Sequence, residues 1–165
     1  MPELPDWLPP LVLLTDYGGD WDRYLEAVYR FFREDFLGHR PTFGCQRVGL
    51  KAHPLVAGRE ATFWHFIQEG KVEAERTPDL RRCERIRWVM PIIQHAGEDC
   101  VKQWTTDNRG AVRVHLWLES AEYLVVLDDR SDYVLPWTAF CVTEPQRKKH
   151  YQKEYERWRD GRRRP

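Results

Sequence analysis

Apolar residues concentrate in three runs of the C-terminal half, at positions 112–119, 123–128 and 133–142, each dense in Val, Leu and aromatic side chains. Short polar breaks separate them, Glu119-Ser120-Ala121 and Asp128-Asp129-Arg130-Ser131-Asp132. That pattern predicts an antiparallel meander of three strands. In the first run Val114, Leu116 and Leu118 alternate with Arg113, His115, Trp117 and Glu119. One face is therefore expected in a core, and the other to present charged and aromatic groups. Residues 100–106, joined through the turn Asp107-Asn108-Arg109-Gly110, supply a fourth strand.

Upstream, the period changes to that of helices. Trp21, Tyr24, Leu25, Val28, Phe31 and Phe32 recur at helical spacing behind Asp20 as N-cap, predicting a helix to about residue 37 with Gly38 as its stop. Residues 41–53 read as extended, with Gly44 and Gly49 as bends. A second helix is expected over 59–69, with Phe63, Phe66 and Ile67 inward and His65 on another face, within one turn of Glu69. Thr77-Pro78-Asp79 predicts a third helix start with Thr77 as cap, and Pro91 its end or kink. Thr143-Glu144-Pro145 opens a charged surface helix to about residue 158, laid on the sheet through Tyr151, Tyr155 and Trp158. The expected organisation is an extended lead-in at 1–15, a single α+β domain at 16–158 and a basic tail at 159–165. Its architecture is N-terminal helices packed on a four-stranded antiparallel sheet, followed by a C-terminal helix.

The chain of 165 residues carries 26 Lys and Arg against 26 Asp and Glu, so any polyanion binding has to come from local clustering. No apolar run is long enough to span a membrane, and the first residues lack a leader pattern, so the cytoplasm is the expected location. Cys45, Cys83, Cys100 and Cys141 are scattered and no histidines stand at ligand spacing, which predicts reduced thiols, no metal site and no cofactor. Of the histidines, His53, His65 and His115 combine with Arg109, Arg113 and Arg130 near the sheet. Each also has an ordinary structural reading: a turn residue, a helix-surface residue bonded to Glu69, and an exposed sheet residue. The run Arg81-Arg82-Cys83-Glu84-Arg85-Ile86-Arg87 reads either as a polyphosphate-binding face or as a solvated helix with internal ion pairs. A site of His, Arg, Tyr and Thr suits cleavage of RNA by its own 2′-hydroxyl, which needs a proton acceptor, a cation for the phosphorane and a proton donor for the leaving oxygen.

The run from Tyr123 through Asp128-Asp129-Arg130 and Tyr133 to Thr138-Ala139-Phe140, followed by a basic helix with Lys153-Glu154-Tyr155, resembles the end of phage- and mobile-element-associated domains of the barnase–EndoU–colicin–RelE superfamily. In those domains a hairpin leads to a strand ending in Thr-Ala-Tyr/Phe and then a Lys-rich helix. The likeness covers about residues 49–155. It implies a metal-independent endoribonuclease of toxin or phage-conflict type, acting on RNA and opposed by an antitoxin or immunity protein. Carried over by position, it implies His65 as acid–base group, Arg130 as phosphate contact, and Tyr133 and Thr138 as residues that orient phosphate or base. His53, Arg82, Arg85, Arg109, Arg113 and His115 complete the expected substrate-binding set. Pro136 interrupts the last strand, so Tyr133 and Thr138 share a side only if a bulge lies between them. The alternative function is a non-catalytic phage or mobile-element protein that binds a partner through the basic, aromatic sheet face.

Overall fold

The computed structural model describes residues 2–163. Met1 of the expected lead-in and Arg164 and Pro165 of the expected tail lie outside the described residues. The fold is α+β, with a six-stranded mixed sheet ordered β1-β2-β8-β7-β6-β5. The strands are β1 (Thr42–Phe43), β2 (Gln46–Val48), β5 (Val101–Asn108), β6 (Ala111–Leu118), β7 (Tyr123–Asp129) and β8 (Tyr133–Cys141); β3 (Gln68–Glu69) and β4 (Thr77–Pro78) form a separate two-stranded ribbon. The helices are α1 (Trp21–Arg33), α2 (Ala61–Ile67), α3 (Leu80–Glu84), α4 (Val89–Gln94) and α5 (Pro145–Arg163).

The four expected antiparallel strands are β5 to β8, in register from Val101↔Leu118 to Tyr123↔Cys141. The β5–β6 turn has both central residues at positive φ, Arg109 at 55° and Gly110 at 88°, the conformation that matches the twist of a two-residue hairpin. The sheet is nevertheless larger than four strands. β2 joins β8 in parallel through Arg47↔Tyr133 and Val48↔Val134, and β1 extends it antiparallel. A strand of three residues has too few alternating positions to announce its pairing.

Both faces of the sheet carry packed helices, the second face in part. Val114, Leu116, Leu118, Val125, Leu127 and Val134 form the main core with Tyr24, Val28 and Phe32 of α1, Phe63 and Phe66 of α2, and Ile92 of α4. On the other face Trp104, Trp117, Leu124 and Val126 pack under Tyr151, Tyr155 and Trp158 of α5, as the helix stripe predicts. Trp117, expected on a displayed face, is 1% exposed. Burying an aromatic of this size contributes about 2–3 kcal/mol, enough to fix α5 to a helix surface otherwise rich in charge.

Other boundaries shift for local reasons. Asp20 caps α1 as expected, its carboxylate accepting from the Arg23 N–H, but the α-helix stops at Arg33 and a wide π turn carries the chain to Gly38. The cap of α3 is Asp79, which accepts from the Arg82 N–H at 2.9 Å, because Thr77 and Pro78 pair with Gln68 and Glu69. Pro91 neither ends nor kinks α4: it sits in the first turn, where an N–H has no helical partner. The break lies earlier, at Arg85 (φ −105°, ψ 16°). α5 runs on to Arg163 through most of the expected tail. Among the described residues no helix is long and apolar enough to cross a membrane.

Candidate functional site

The outer edge of β8 is where α2, the β3–β4 ribbon and α3 meet the sheet. Three backbone and side-chain ties fix α2 there: Ala61 N–H donates to the Ala52 carbonyl at 3.1 Å, Thr62 N–H to the Lys51 carbonyl at 3.0 Å, and Lys51 N–H to Thr62 Oγ1 at 2.8 Å. The ribbon then turns the chain back, with Asp79 N–H donating to the Ile67 carbonyl at 2.7 Å, and α3 starts beside the end of α2. This brings Arg82 across to β8. One of its guanidinium nitrogens reaches the Gln68 carbonyl at 2.8 Å and, at 3.4 Å each, the His65 carbonyl and Thr138 Oγ1. Its planar cation also lies 5.7 Å from the centre of the Phe140 ring. Burial lowers the Arg82 pKa from its ordinary value, an effect opposed by the charge of Asp79.

The last strand carries the bulge that the spacing of Tyr133 and Thr138 requires. Leu127 pairs with Pro136 and Val126 with Thr138, leaving Trp137 as the extra residue. Beyond it Thr138 and Phe140 fall on the side of the strand shared by Tyr133 and Leu135. Trp137 packs on the α5 side of the sheet, where its ring meets His65 edge-on with centroids 5.7 Å apart and carries the Arg113 guanidinium at 4.1 Å.

His65, Arg82, Thr138, Trp137, Arg76 and Glu69 thereby line one cavity of about 200 Å³, room for a phosphate group and part of a sugar. His65 is half-buried, and among the described residues no hydrogen bond uses either of its ring nitrogens. The expected bond to Glu69 is absent because α2 ends at Ile67 and Glu69 belongs to the ribbon. Burial lowers the His65 pKa below the ordinary histidine value, and the charges of Arg76 and Lys51 push it further down. The ring is therefore neutral at pH 7 and able to accept a proton. Arg76 is held by its own Nε donating to the Gly70 carbonyl at 3.1 Å.

Of the ten residues expected in the site, His65, Arg82 and Thr138 converge on this cavity. Arg113 borders it through Trp137 and pairs with Asp128 at 3.7 Å. Arg130 joins the same buried Asp128 carboxylate, outside the cavity lining. Tyr133 turns away, with the Arg47 guanidinium 5.0 Å from its ring and Gly49 packed against it. Arg85 lies over Trp88 at 5.0 Å and pairs with Glu84, His53 is exposed in an irregular segment, and Arg109 is exposed in the β5–β6 turn. His115 is not an exposed sheet residue: it stacks on Trp104 at 4.9 Å beneath α5, with Nε2 3.1 Å from Thr106 Oγ1. Trp137, Arg76 and Glu69 were not expected in a site; the ribbon that brings the last two in was hidden in a helix prediction. Among the described residues no three His, Cys, Asp or Glu side chains gather as a metal site. Compared with known proteins, the chain matches no family model, and no curated protein and no solved structure shows significant similarity to it.

Proposed function

We propose that this chain is a metal-independent endoribonuclease that cleaves RNA through attack of the 2′-hydroxyl on the adjacent phosphodiester. The observation that carries the reading is one cavity holding a neutral, uncommitted imidazole (His65), two guanidinium groups (Arg82 and Arg76) and a hydroxyl (Thr138). His65 takes the 2′ proton as the bond from that oxygen to phosphorus forms. The two arginines offset the charge gathered on the phosphorane. As the bond from phosphorus to the 5′ oxygen breaks, the imidazolium returns its proton to that oxygen, leaving a 2′,3′-cyclic phosphate and a 5′-hydroxyl. Thr138 Oγ1 accepts from Arg82, so its own hydrogen is available for a phosphate oxygen. In a toxin or phage-conflict setting, such an activity calls for an antitoxin or immunity protein as partner.

The test is incubation of the purified chain with total RNA and with defined oligoribonucleotides, followed by chemical identification of the new ends. Cyclic phosphate ends are expected. His65→Ala lowers the rate by at least about 100-fold, the usual contribution of a positioned acid–base group, with an unchanged thermal unfolding curve. A variant as active as wild type removes His65 from the mechanism. Wild type that binds RNA without cutting it favours the second reading, a non-catalytic binding protein. Its surface would be the strip that α5 leaves uncovered, where Arg113, Trp137 and Arg130 lie next to the cavity.

A further inference from the structure

Arg82 stands between two concavities. On its other side lies a second pocket of about 180 Å³, which shares Arg82 and Glu69 with the first and adds Arg81, Arg147, Phe140 and Thr143. Phe140 is the floor common to two cations: the Arg147 guanidinium lies 4.8 Å from its ring centre and that of Arg82 5.7 Å. Among the described residues neither Arg81 nor Arg147 forms an ion pair or donates a side-chain hydrogen bond, and both are exposed. Three guanidinium groups thus face a polar hollow that adjoins the candidate catalytic cavity across Arg82 and Glu69.

We infer that this second pocket is a phosphate subsite for the neighbouring repeat of a single-stranded phosphodiester chain, so that the protein engages two successive phosphates, one on either side of Arg82. The inference rests on the RNA-cleavage reading for the identity of the chain in the first cavity. The charge balance selects the ligand. Glu69, Asp79 and Glu144 also line the second pocket, so its three cations face three carboxylates. Such a site suits a diester, which carries one negative charge per phosphate, better than a terminal phosphate or a polyphosphate with more. Arginine matches the purpose because its planar fork binds two phosphate oxygens at once while its flat face rests on the phenyl ring. The strand in question is single, because a continuous groove through adjoining pockets follows one backbone and the aromatic wall beside it, Trp137, offers an open base a surface to stack on.

The experiment uses 5′-fluorescein-labelled 2′-O-methyl oligonucleotides of two and four nucleotides, which lack the attacking hydroxyl and stay intact. Fluorescence anisotropy over a range of salt gives the affinity of the full chain, Arg147→Ala, Arg81→Ala and, as a control for charge on α5, Lys149→Ala. Arg147→Ala is expected to weaken the four-nucleotide ligand about 5-fold more than the two-nucleotide ligand and to reduce its salt slope by about 0.7, one phosphate contact on a single strand. Arg81→Ala shows the same length dependence, while Lys149→Ala changes both lengths by an equal factor. Equal losses at both lengths in the arginine variants overturn the subsite, as does wild type that fails to bind the longer ligand better. Parallel reactions on RNA of the same lengths separate the two readings. Length- and Arg147-dependent binding with no cleavage retains the subsite and removes the nuclease. Cleavage whose length dependence survives Arg147→Ala retains the nuclease and removes the subsite.

Discussion

Arg82 holds α2, α3 and β8 together, and its replacement separates that structural task from chemistry. The contact at 2.8 Å with the Gln68 carbonyl is a charge-assisted hydrogen bond worth about 1.5–3 kcal/mol. The two at 3.4 Å, to the His65 carbonyl and Thr138, lie at the weak end of the range and together add about 1 kcal/mol. The cation over Phe140 adds about 0.5–1 kcal/mol. Against this stands the cost of keeping a guanidinium partly out of water, which the burial-lowered pKa reports and which a neutral side chain recovers. Arg82→Met retains an aliphatic stem and loses the donors and the cation over Phe140, for a net destabilisation of about 2 kcal/mol. Arg82→Ala also loses the stem, reaching about 3 kcal/mol, and Arg82→Lys, a single point charge able to serve one acceptor, about 1 kcal/mol. In equilibrium urea unfolding, with a slope of about 2 kcal/mol per molar, the Met variant moves the midpoint down by about 1 M. The order Lys, Met, Ala of increasing damage is the signature of a fork serving several acceptors. A Met variant within about 0.5 kcal/mol of wild type would refute the argument, because the desolvation cost would then cancel every contact named here.

Three further expectations follow from neighbouring parts of the molecule. A Cβ on Gly49 would lie 2.9 Å from Tyr133 Cδ2, so Gly49→Ala destabilises by about 1–3 kcal/mol; in a Tyr133→Ala background the same change costs far less, and an additive double-mutant cycle removes that contact as the cause. Burial lowers the pKa of His115, whose Nδ1 is buried without a partner, so the folded state takes up a proton less readily than the unfolded chain. The stability this contributes is full above about pH 6.5 and is lost as pH falls toward the folded value, by at most about 1.4 kcal/mol per pH unit. His115→Phe keeps the stack on Trp104, and its urea midpoint is expected to fall less than wild type between pH 7.5 and 5.5; parallel profiles would exclude His115 as the source. Arg76 helps to hold the His65 pKa down, so Arg76→Ala shifts both the His65 NMR titration and the acid limb of kcat/KM to higher pH, whereas a shift in neither would place the Arg76 charge too far away to act.

The strands β5 to β8 were legible because each has enough residues to show its alternation, and α1 because thirteen residues behind an Asp cap repeat an apolar stripe nearly four times. Legibility fails where structure is made by pairs of residues. β3 and β4 are two residues each, and Gln68, Glu69, Thr77 and Pro78 have no pattern that separates them from a helix end and a helix start. That ribbon is what carries Glu69 and Arg76 to His65, so the site was half visible: the residues on long elements could be named, and those delivered by a two-residue pairing could not. The arginines show the same limit. Which of Arg81, Arg82 and Arg85 faces β8 depends on where α3 begins, and moving its cap from Thr77 to Asp79 rotates the helix by two residues, about 200°.

Pro136 joins these observations into one cause. β2 leaves β8 after Val48↔Val134, so from Leu135 onward the outer edge of β8 has no strand beside it, and a residue without an N–H is tolerated at such an edge. The bulge that follows takes up one residue, and the residue it takes is Trp137. A regular strand would put Trp137 in line with Tyr133 and Leu135, and Thr138 in line with Val134, toward the main core, where its hydroxyl would need a buried partner. With the bulge, Thr138 instead meets Arg82, and Trp137 forms a wall between His65 and Arg113. The unpaired edge also gives α2 and α3 a place to lie against β8. The bulge beside Pro136, on an edge that β2 leaves free, is therefore what brings the imidazole, guanidinium and hydroxyl to one cavity.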